Sequence, residues 1–328
     1  MSSSSLRARS VCVLIFGTLV AAQAPALSLS TAHADEPTPG AYTESSIRIA
    51  TFNTDATNRA KRAIKDLKAL AAQGPDIIAL QELANPDRKQ FIRASLTDCE
   101  TCIYDIYMPA VAVPGSTPIL YRSDRFALEA AETVQVTKPT YVGPRGAGPS
   151  TIRAKFVNMV RLRDLTSGRA LNLFNNHTVP SVQGRNGGPN THNRKRLNIY
   201  RKHMTGLRAF MTRVKEASGG LMFVTGDLNV NYRKDRVLQP PLFPYYNMTQ
   251  MKMRASFDPL GEPRIGTHTL GNGNDTRLID YVYSARRPAI TPVAQQILTG
   301  LNADHRPLLV DFTLSPSPSP PPPPPPAE

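Results

Sequence analysis

Apolar and polar positions near the start of the folded region predict a strand, a helix and a second strand. Residues 47–53 form an apolar segment of strand type that ends on a polar residue. From about Asn58, apolar residues recur at helical spacing until Gly74 and Pro75 end the pattern. Residues 76–82 are a second apolar run, again with a polar end. This order favours two parallel strands joined by a right-handed helical crossover.

The rest of the folded region predicts strands separated by turns, one long helix and three later strands. Strands that should pair mostly antiparallel are predicted at 118–122, 126–136, 152–162 and 171–177. A helix is predicted from about Arg194 to Glu216, with an apolar stripe opposite a basic face. The later strands are predicted at 221–224, 278–283 and 308–312. Helices outside two packed mixed β-sheets, a four-layer α/β sandwich, accommodate this order.

The first residues have the pattern of a secretory signal peptide. Two arginines make the start basic, residues 11–22 form an apolar run, and Ala32 and Ala34 provide the small-x-small pattern that signal peptidase cuts. The apolar run of 12 residues is too short for a membrane span, which needs about 20. We therefore predict a signal peptide at 1–34, a linker at 35–46 and a secreted, extracellular chain. Retention at the cell wall is left open.

The other end is a Pro/Ser-rich tract at 315–328 that cannot build a core and should be extended. It is either a spacer toward a cell wall or partner, or a solvated terminus, and we favour the solvated terminus. The region 47–314 is long enough for one large domain and contains no repeat or linker. We expect one domain there and a monomer without an obligate protein partner.

The sequence has a strong excess of positive charge. Two of its 39 lysines and arginines lie in the predicted signal peptide, so 37 remain against 25 acids, a net charge of about +12. A basic exported protein suits a polyanion such as DNA, RNA or an anionic membrane surface. A basic surface that serves solubility alone is the alternative.

Only Cys99 and Cys102 remain after signal removal. In an oxidising compartment their spacing indicates a local structural disulfide. A redox-active pair is the alternative, but the surrounding sequence is not thioredoxin-like. Two cysteines alone also make a poor zinc site.

Several predicted strands carry an acid, amide or histidine at or near one end, where converging strands make a rigid place for chemistry. Glu82 follows an apolar run, and a carboxylate there is a natural ligand for Mg²⁺ or Mn²⁺, which prefer oxygen donors. Asp227 and Asn229 are two residues apart, so in an extended chain both point to one side. Asp227 can orient or deprotonate a water, and Asn229 can hold that water or donate to a phosphate oxygen. Gly226 leaves room for a ligand; an ordinary turn is the alternative.

Histidines near two strand ends are candidates for proton transfer. His305, next to Asp304, can act on a phosphate or a metal-bound water if an acceptor fixes its other ring nitrogen. Asp280, inside a predicted strand, is a suitable acceptor. His177 can supply a second proton donor or charge.

The remaining histidines, His192, His203 and His268, are interpreted as surface or packing residues, with His268 the least certain. Arg153 follows a Gly/Pro-rich loop and is a candidate substrate-binding residue that reaches a phosphate; a surface arginine is the alternative.

Six short motifs resemble, in order, those of the exonuclease–endonuclease–phosphatase superfamily, which includes pancreatic-type deoxyribonuclease, abasic-site endonucleases, neutral sphingomyelinases and inositol-polyphosphate 5-phosphatases. The motifs are 51–53 (TFN), 80–82 (LQE), 175–177 (NNH), 226–229 (GDLN), 278–281 (LIDY) and 303–307 (ADHRP). The resemblance spans 47–314 and implies the same four-layer sandwich.

The resemblance also implies hydrolytic displacement at phosphorus assisted by a metal ion. Glu82 is expected to be the principal ligand of Mg²⁺ or Mn²⁺, with Ca²⁺ as a further candidate, helped by Asn53 and Asp304. Asp227 and Asn229 are expected to position the attacking water and the scissile phosphate.

The two histidines receive distinct roles from the resemblance. His305, oriented by Asp280, is expected to act as base or to stabilise the phosphate, and His177 to act as acid or transition-state stabiliser. In pancreatic-type deoxyribonuclease, a glutamate just before a strand supports the histidine that matches His177. Here residues 115–118 contain no acid. Another group must therefore hold His177, or its role is reduced, so the sequence departs from the pancreatic-type subfamily.

Three functions are compatible with these observations. A secreted nuclease is favoured, because the net charge of the chain suits a polynucleotide backbone, as do the basic residues Arg185, 194–196 and 201–202. The alternative for this basic segment is a solvated helix face. A sphingomyelinase-type phospholipid phosphodiesterase or a phosphatase is the alternative. The apolar segment 240–246 is the one candidate membrane loop, and the chain has no tryptophan. A non-catalytic binding protein is disfavoured, since every expected metal and proton-transfer position is occupied.

Overall fold

Two β-sheets of six strands pack against each other in the computed structural model, which describes residues 45–83, 85–143, 150–269 and 276–315. The predicted signal peptide, most of the predicted linker and residues 316–328 of the predicted tail lie outside the described residues, so the domain limits stay predictions. Among the described helices, none combines the length and apolar character that crossing a membrane requires.

The regular elements of the described residues are numbered in chain order. The strands are β1 Ser45–Asn53, β2 Ile77–Gln81, β3 Tyr104–Tyr107, β4 Ile119–Arg122, β5 Phe126–Thr137, β6 Thr140–Tyr141, β7 Thr151–Ile152, β8 Lys155–Asp164, β9 Ala170–His177, β10 Leu221–Asp227, β11 Met253–Ala255, β12 Asp280–Ala285, β13 Thr291–Ile297 and β14 Leu308–Leu314. The α-helices are α1 Ala60–Ala71, α2 Pro86–Ile92, α3 Arg194–Ser218, α4 Tyr232–Leu238, α5 Pro244–Gln250 and α6 Phe257–Leu260. A π-helical segment, Arg93–Thr97, and two 3-10 turns, Pro114–Ser116 and Thr191–Asn193, are also present.

The strand order confirms the predicted sandwich of two mixed sheets. The first sheet has the order β13-β14-β1-β2-β4-β3 and the second β11-β12-β10-β9-β8-β5, while β6 and β7 form a separate hairpin. β1 and β2 are parallel and joined through α1, as predicted, and β9 and β10 are parallel as well. The other strand pairs of the described residues are antiparallel.

Both faces of the first sheet are covered, and for this reason β1 is almost continuously apolar. Side chains of a strand alternate between its faces, so Ile49 points between the two sheets and Phe52 points toward α1. Between the sheets, the rings of Phe223 and Phe312 meet edge to face with centroids 5.2 Å apart. Helix α3 covers the outer face of the second sheet. The four layers are therefore α1, first sheet, second sheet and α3.

The prediction missed the short elements, namely α2, α4, α5, α6, β3, β11 and β13. The longest of these helices has seven residues, too few for a periodic pattern to emerge. The strand predicted at 278–283 begins later, at Asp280. The amides of Leu278 and Ile279 donate instead to the side chains of Asn231 and Thr267, at 3.1 and 3.0 Å.

Cys99 and Cys102 form a local disulfide with Cα atoms 5.1 Å apart. The backbone amide of Cys102 also donates to the carbonyl of Cys99 over 2.9 Å. The bridge therefore closes the turn between the π-helical segment and β3, in agreement with the predicted structural role.

Candidate active site

Four strand ends meet at one edge of the two packed sheets. β1 ends at Asn53, β9 at His177 and β10 at Asp227, whereas β12 begins at Asp280. Because β12 runs antiparallel to β10 and β9 runs parallel to it, Asp280 and His177 flank Asp227 in register. From the first sheet, Nδ2 of Asn53 donates to Oδ2 of Asp227 over 3.1 Å. The fold thus brings polar ends of both sheets into one cluster.

The carboxylate of Asp227 is at the centre of this cluster and is 2% exposed. Its Oδ1 accepts the backbone amide of Asn229 over 2.8 Å. Burial and the charge of Asp280 raise the pKa of Asp227, although the charge of His305 and the nearby ring of His177 oppose the shift. A carboxylate with a raised pKa is a better proton acceptor, so Asp227 can hold and deprotonate a water.

A second buried pair joins His305 to Asp280. Nδ1 of His305 donates to Oδ2 of Asp280 over 2.8 Å, and Nε2 of His305 lies 3.8 Å from Oδ2 of Asp227. Burial opposes the charged ring, but the charge and hydrogen bond of Asp280, with the charges of Asp227 and Asp304, raise the pKa of His305 to about 10. His305 is therefore a cation at neutral pH whose Nε2–H faces the cluster.

His177 lies on the other side of Asp227. Its Nε2 is 3.5 Å from Oδ2 of Asp227 and 3.7 Å from Oε1 of Glu82. Burial and the charge of Lys155 lower the pKa of His177 to about 3, so the ring is neutral at physiological pH. Glu82 and Asp227 are thus acidic neighbours of this histidine, both beside its Nε2.

Glu82 follows β2 with a left-handed backbone, φ +62°, a conformation that costs a non-glycine residue energy and is concentrated at functional sites. Its Oε2 accepts the backbone amide of Ala56 over 2.7 Å, which turns Oε1 toward His177. The side chain is 29% exposed, so the carboxylate is fixed yet accessible to an ion from solvent.

The donors around Glu82 fit a hard divalent cation. Burial raises the pKa of Asp304, and the negative charges of Asp55 and Glu82 add to this shift, so both carboxylates repel that of Asp304. A bound cation would relieve that repulsion, and their oxygen donors, with the amide of Asn53, are of the kind that Mg²⁺ and Mn²⁺ prefer. The donor types therefore suit the predicted metal, and the ligand set of Glu82, Asn53 and Asp304 stays a prediction. Among the described residues, the two histidine–carboxylate groups whose donor atoms lie within 4.8 Å of one another are His268, Asp304 and His305, and Asp227, Asp280 and His305.

His268 belongs to the cluster, although the sequence led us to interpret it as a surface or packing residue. Its ring meets that of His305 edge to face with centroids 4.7 Å apart, and Nε2 lies 4.0 Å from Oδ2 of Asp304. A backbone bridge between residues 268 and 305 holds the two rings together. Asp304 itself is half exposed at the rim. The donor atoms of His268, Asp304 and His305 lie within 4.8 Å of one another.

Lys155 is the cationic side chain that the sequence analysis missed. Its Nζ donates to the carbonyl of Thr178 over 3.0 Å, directly after His177. Burial lowers the pKa of Lys155 to about 8, against the opposing charges of Asp227 and Glu82. Arg153, two residues earlier, is exposed in the segment between β7 and β8, and its predicted phosphate contact stays a prediction.

Glycine at position 226 has a structural reason apart from its predicted role as space for a ligand, which stays a prediction. Its φ is +140°, and a Cβ there would lie 1.9 Å from the carbonyl oxygen of Asn176 in the neighbouring strand β9. Glycine is required for the close approach of β9 and β10, which sets Asp227 beside His177.

A cleft of about 560 Å³ opens beside the cluster. Asn229 and His268 line it together with the basic residues Arg185, Lys234 and Arg277. A basic wall next to the polar cluster suits an anionic substrate.

The comparisons with known proteins agree with this arrangement. No protein-family profile and no curated protein sequence matches the chain. Among solved structures, an endonuclease/exonuclease/phosphatase family protein of Bacteroides thetaiotaomicron has 16% identity and a TM-score of 0.61, over 84% of this chain and 97% of that chain. The mannosyl-6-phosphatase of the same organism has 15% identity and a TM-score of 0.59, over 81% and 99% of the two chains. D. rerio TDP2, complexed with a single-strand DNA product, has 20% identity and a TM-score of 0.56, over 82% and 99%.

These similarities identify the class of fold as an α/β sandwich with two mixed sheets. It is the fold of the endonuclease/exonuclease/phosphatase superfamily, and the resemblance predicted from the six motifs is confirmed at the level of the fold.

Proposed function

We propose that the chain is a secreted, divalent-metal-dependent phosphodiesterase that hydrolyses nucleic acid. The observation that carries the proposal is the cluster around Asp227, a carboxylate with a raised pKa. Its Oδ2 lies 3.8 Å from Nε2 of the cationic His305 and 3.5 Å from Nε2 of the neutral His177. Metal dependence is supported by the carboxylates of Asp55 and Glu82, whose charges repel that of Asp304.

The residues of the candidate active site have separate roles in the proposed hydrolysis at phosphorus. Glu82, helped by Asn53 and Asp304, would hold a divalent ion, which supplies positive charge to the phosphate oxygens when bound. Asp227 holds the attacking water and accepts its proton at Oδ2, and Asn229 helps to orient the phosphate. His305, fixed by Asp280, offers a positive Nε2–H to the oxygens on which charge develops.

Two further groups complete the proposed mechanism. Lys155 adds a second positive charge beside His177, where it neutralises phosphate charge. His177 is neutral and lies between Glu82 and Asp227, so its ring orients the water or the phosphate by hydrogen bonding.

Nucleic acid is favoured over phospholipid by two observations. The mature chain is predicted to be strongly basic, and Arg185, Lys234 and Arg277 line the cleft beside the cluster. Phe243 and Pro244, in the segment that was the candidate membrane loop, are buried. The similarity to TDP2 with a single-strand DNA product supports the same substrate. A phosphatase of small phosphate monoesters is the second candidate, supported by the mannosyl-6-phosphatase neighbour.

The test is hydrolysis of plasmid DNA by the purified mature chain, with Mg²⁺ or Mn²⁺ and with chelator. We expect metal-dependent nicking that Asp227→Asn abolishes and that Asp98→Asn, an exposed control, leaves intact. Hydrolysis of phosphate monoesters or sphingomyelin vesicles without DNA cleavage would instead support the alternatives. The proposed secretion is checked separately by the N-terminal sequence of the exported protein, which should begin near Asp35.

A further inference from the structure

A second cleft, of about 300 Å³, lies between the hairpin β6–β7 and the start of α3. We call it the Tyr141 cleft. Val142, next to Tyr141, lines one side, and the residues 191–196 line the other. Of these, Arg194 and Lys195 are exposed, so the cleft has a cationic wall.

Tyr141 stands at the edge of this cleft and is 59% exposed. Nζ of Lys195 lies 5.3 Å from the centroid of its ring, a cation–π contact that holds the ring beside the cationic wall. Among the exposed large apolar side chains of the described residues, only Tyr141 and Phe91 are aromatic. A solvent-exposed aromatic ring beside a basic side chain is the kind of surface on which nucleobases stack.

The Tyr141 cleft is connected to the candidate active site through Arg196. Nη1 of Arg196 donates to the carbonyl of Pro180 over 3.4 Å, on the loop that continues from His177. The positive charge of Arg196 is also close enough to lower the pKa of Lys155. Arg196 therefore both lines the Tyr141 cleft and contacts the loop that follows His177.

We propose that the Tyr141 cleft binds a single-stranded polynucleotide, with a base stacked on Tyr141 and backbone phosphates paired with Arg194 and Lys195. This inference rests on the proposed nuclease function and specifies its substrate. In a duplex, neighbouring base pairs cover the faces of each base, so an exposed ring gains stacking only from an unpaired base. A duplex would contact the same cations through phosphates but would gain nothing from Tyr141.

The test measures binding in the Asp227→Asn background with chelator, so that the probe is not cleaved. The probes are a short fluorescent oligodeoxythymidylate, a duplex of equal length and anionic phospholipid vesicles. We expect Tyr141→Leu to raise the Kd for the single strand by roughly 5- to 150-fold and to leave the duplex Kd unchanged. Tyr141→Phe keeps the ring and should retain single-strand affinity.

Two matched charge substitutions distinguish binding in the Tyr141 cleft from general attraction to a basic protein surface. Lys195→Gln should lower the slope of log Kd against log salt by about 0.7 for the single strand. Lys215→Gln removes an exposed cation about 30 Å further along α3 and should leave the slope unchanged.

An unchanged single-strand Kd in Tyr141→Leu, an equal loss on duplex, or a loss confined to vesicles would overturn the inference. The proposed catalysis is read separately, from cleavage by the wild-type chain. If the wild-type chain cleaves DNA but binding does not depend on Tyr141, the proposed single-strand site is refuted and the proposed nuclease function is retained. If binding depends on Tyr141 but no metal-dependent cleavage is found, the proposed single-strand site is retained and the proposed catalysis is refuted.

Discussion

Nδ1 of His305 lies 2.8 Å from Oδ2 of Asp280, whose carboxylate is fully buried at the start of β12. The backbone amide of Asp280 donates to Oγ1 of Thr267 over 3.1 Å, which fixes the main chain from which this carboxylate projects. This contact determines the direction of the His305 ring and keeps it charged. Nε2 of the ring is thereby presented to Asp227, as for histidines that a buried carboxylate orients in catalytic triads.

We predict that Asp280→Asn lowers kcat by about 10²- to 10³-fold, the range for loss of one donor that stabilises the transition state. The amide removes the negative charge that raises the pKa of His305 to about 10. The cation at His305 persists up to that pH in the wild type and should be lost at lower pH in the variant. The measurement is kcat as a function of pH. Asp124→Asn, at an exposed carboxylate, is the control; an unaltered kcat and pH profile in Asp280→Asn would refute the role.

Lys155 leads to a second prediction about pH. Its pKa is lowered to about 8 by burial, so its charge is present below that pH and is lost as the pH rises through it. We expect the alkaline limb of kcat/KM to fall near pH 8 and to move to higher pH in Lys155→Arg, because arginine stays protonated.

Lys155→Met should lower kcat/KM on the order of 10²-fold, as for removal of one transition-state donor. Folding of each Lys155 variant is checked by thermal unfolding. An alkaline limb that does not move in Lys155→Arg would show that another group titrates there.

The residues of the candidate site differ in how far the sequence could predict them. Asn53, Glu82, His177 and Asp227 follow apolar runs whose period is clear, so their convergence follows from strand order. Lys155 was missed because it opens β8 after an irregular segment, where the period does not show which residue points inward.

His268 could not be predicted for a different reason. Its contact with His305 depends on a single bridge between two loop segments that are distant along the chain. Neither segment has a strand or helix period, so no pattern links them. The short helices α4 to α6 were missed likewise, because four to seven residues do not define a helical face.

The proposed metal binding at Glu82 has a readout that does not need activity. A ligand that binds only the folded state stabilises it by about 2.7 kcal/mol at a concentration 100 times its Kd. We expect Mg²⁺ or Mn²⁺ to raise the Tm of the wild type and of Glu216→Gln, an exposed control on α3. Glu82→Gln should lose most of the shift. An equal shift in both variants would place the ion elsewhere.

Asp235 on α4 gives a stability prediction that is independent of catalysis. The residue is fully buried, its Oδ2 accepts the amide of Tyr245 over 2.8 Å, and its Oδ1 has no hydrogen-bond partner among the described residues. Burial raises the pKa of Asp235 to about 7, although the hydrogen bond from Tyr245 opposes the shift. An unfolded aspartate titrates near pH 3.9.

Because the folded pKa is the higher one, the protonated carboxyl stabilises the fold fully below about pH 4, and this contribution is lost as the pH rises through 7. Asp235→Asn keeps an acceptor for the Tyr245 amide and cannot ionise. The free energy of unfolding, measured in urea across this range, should therefore fall with pH in the wild type by up to about 4 kcal/mol more than in the variant. Asp124→Asn is a control with the opposite pH dependence, since the hydrogen bond from Arg122 lowers the pKa of Asp124. The contribution of this exposed carboxylate to the free energy of unfolding is small and is lost as the pH falls. Parallel curves for the wild type and Asp235→Asn would show that Asp235 is already ionised in the folded state.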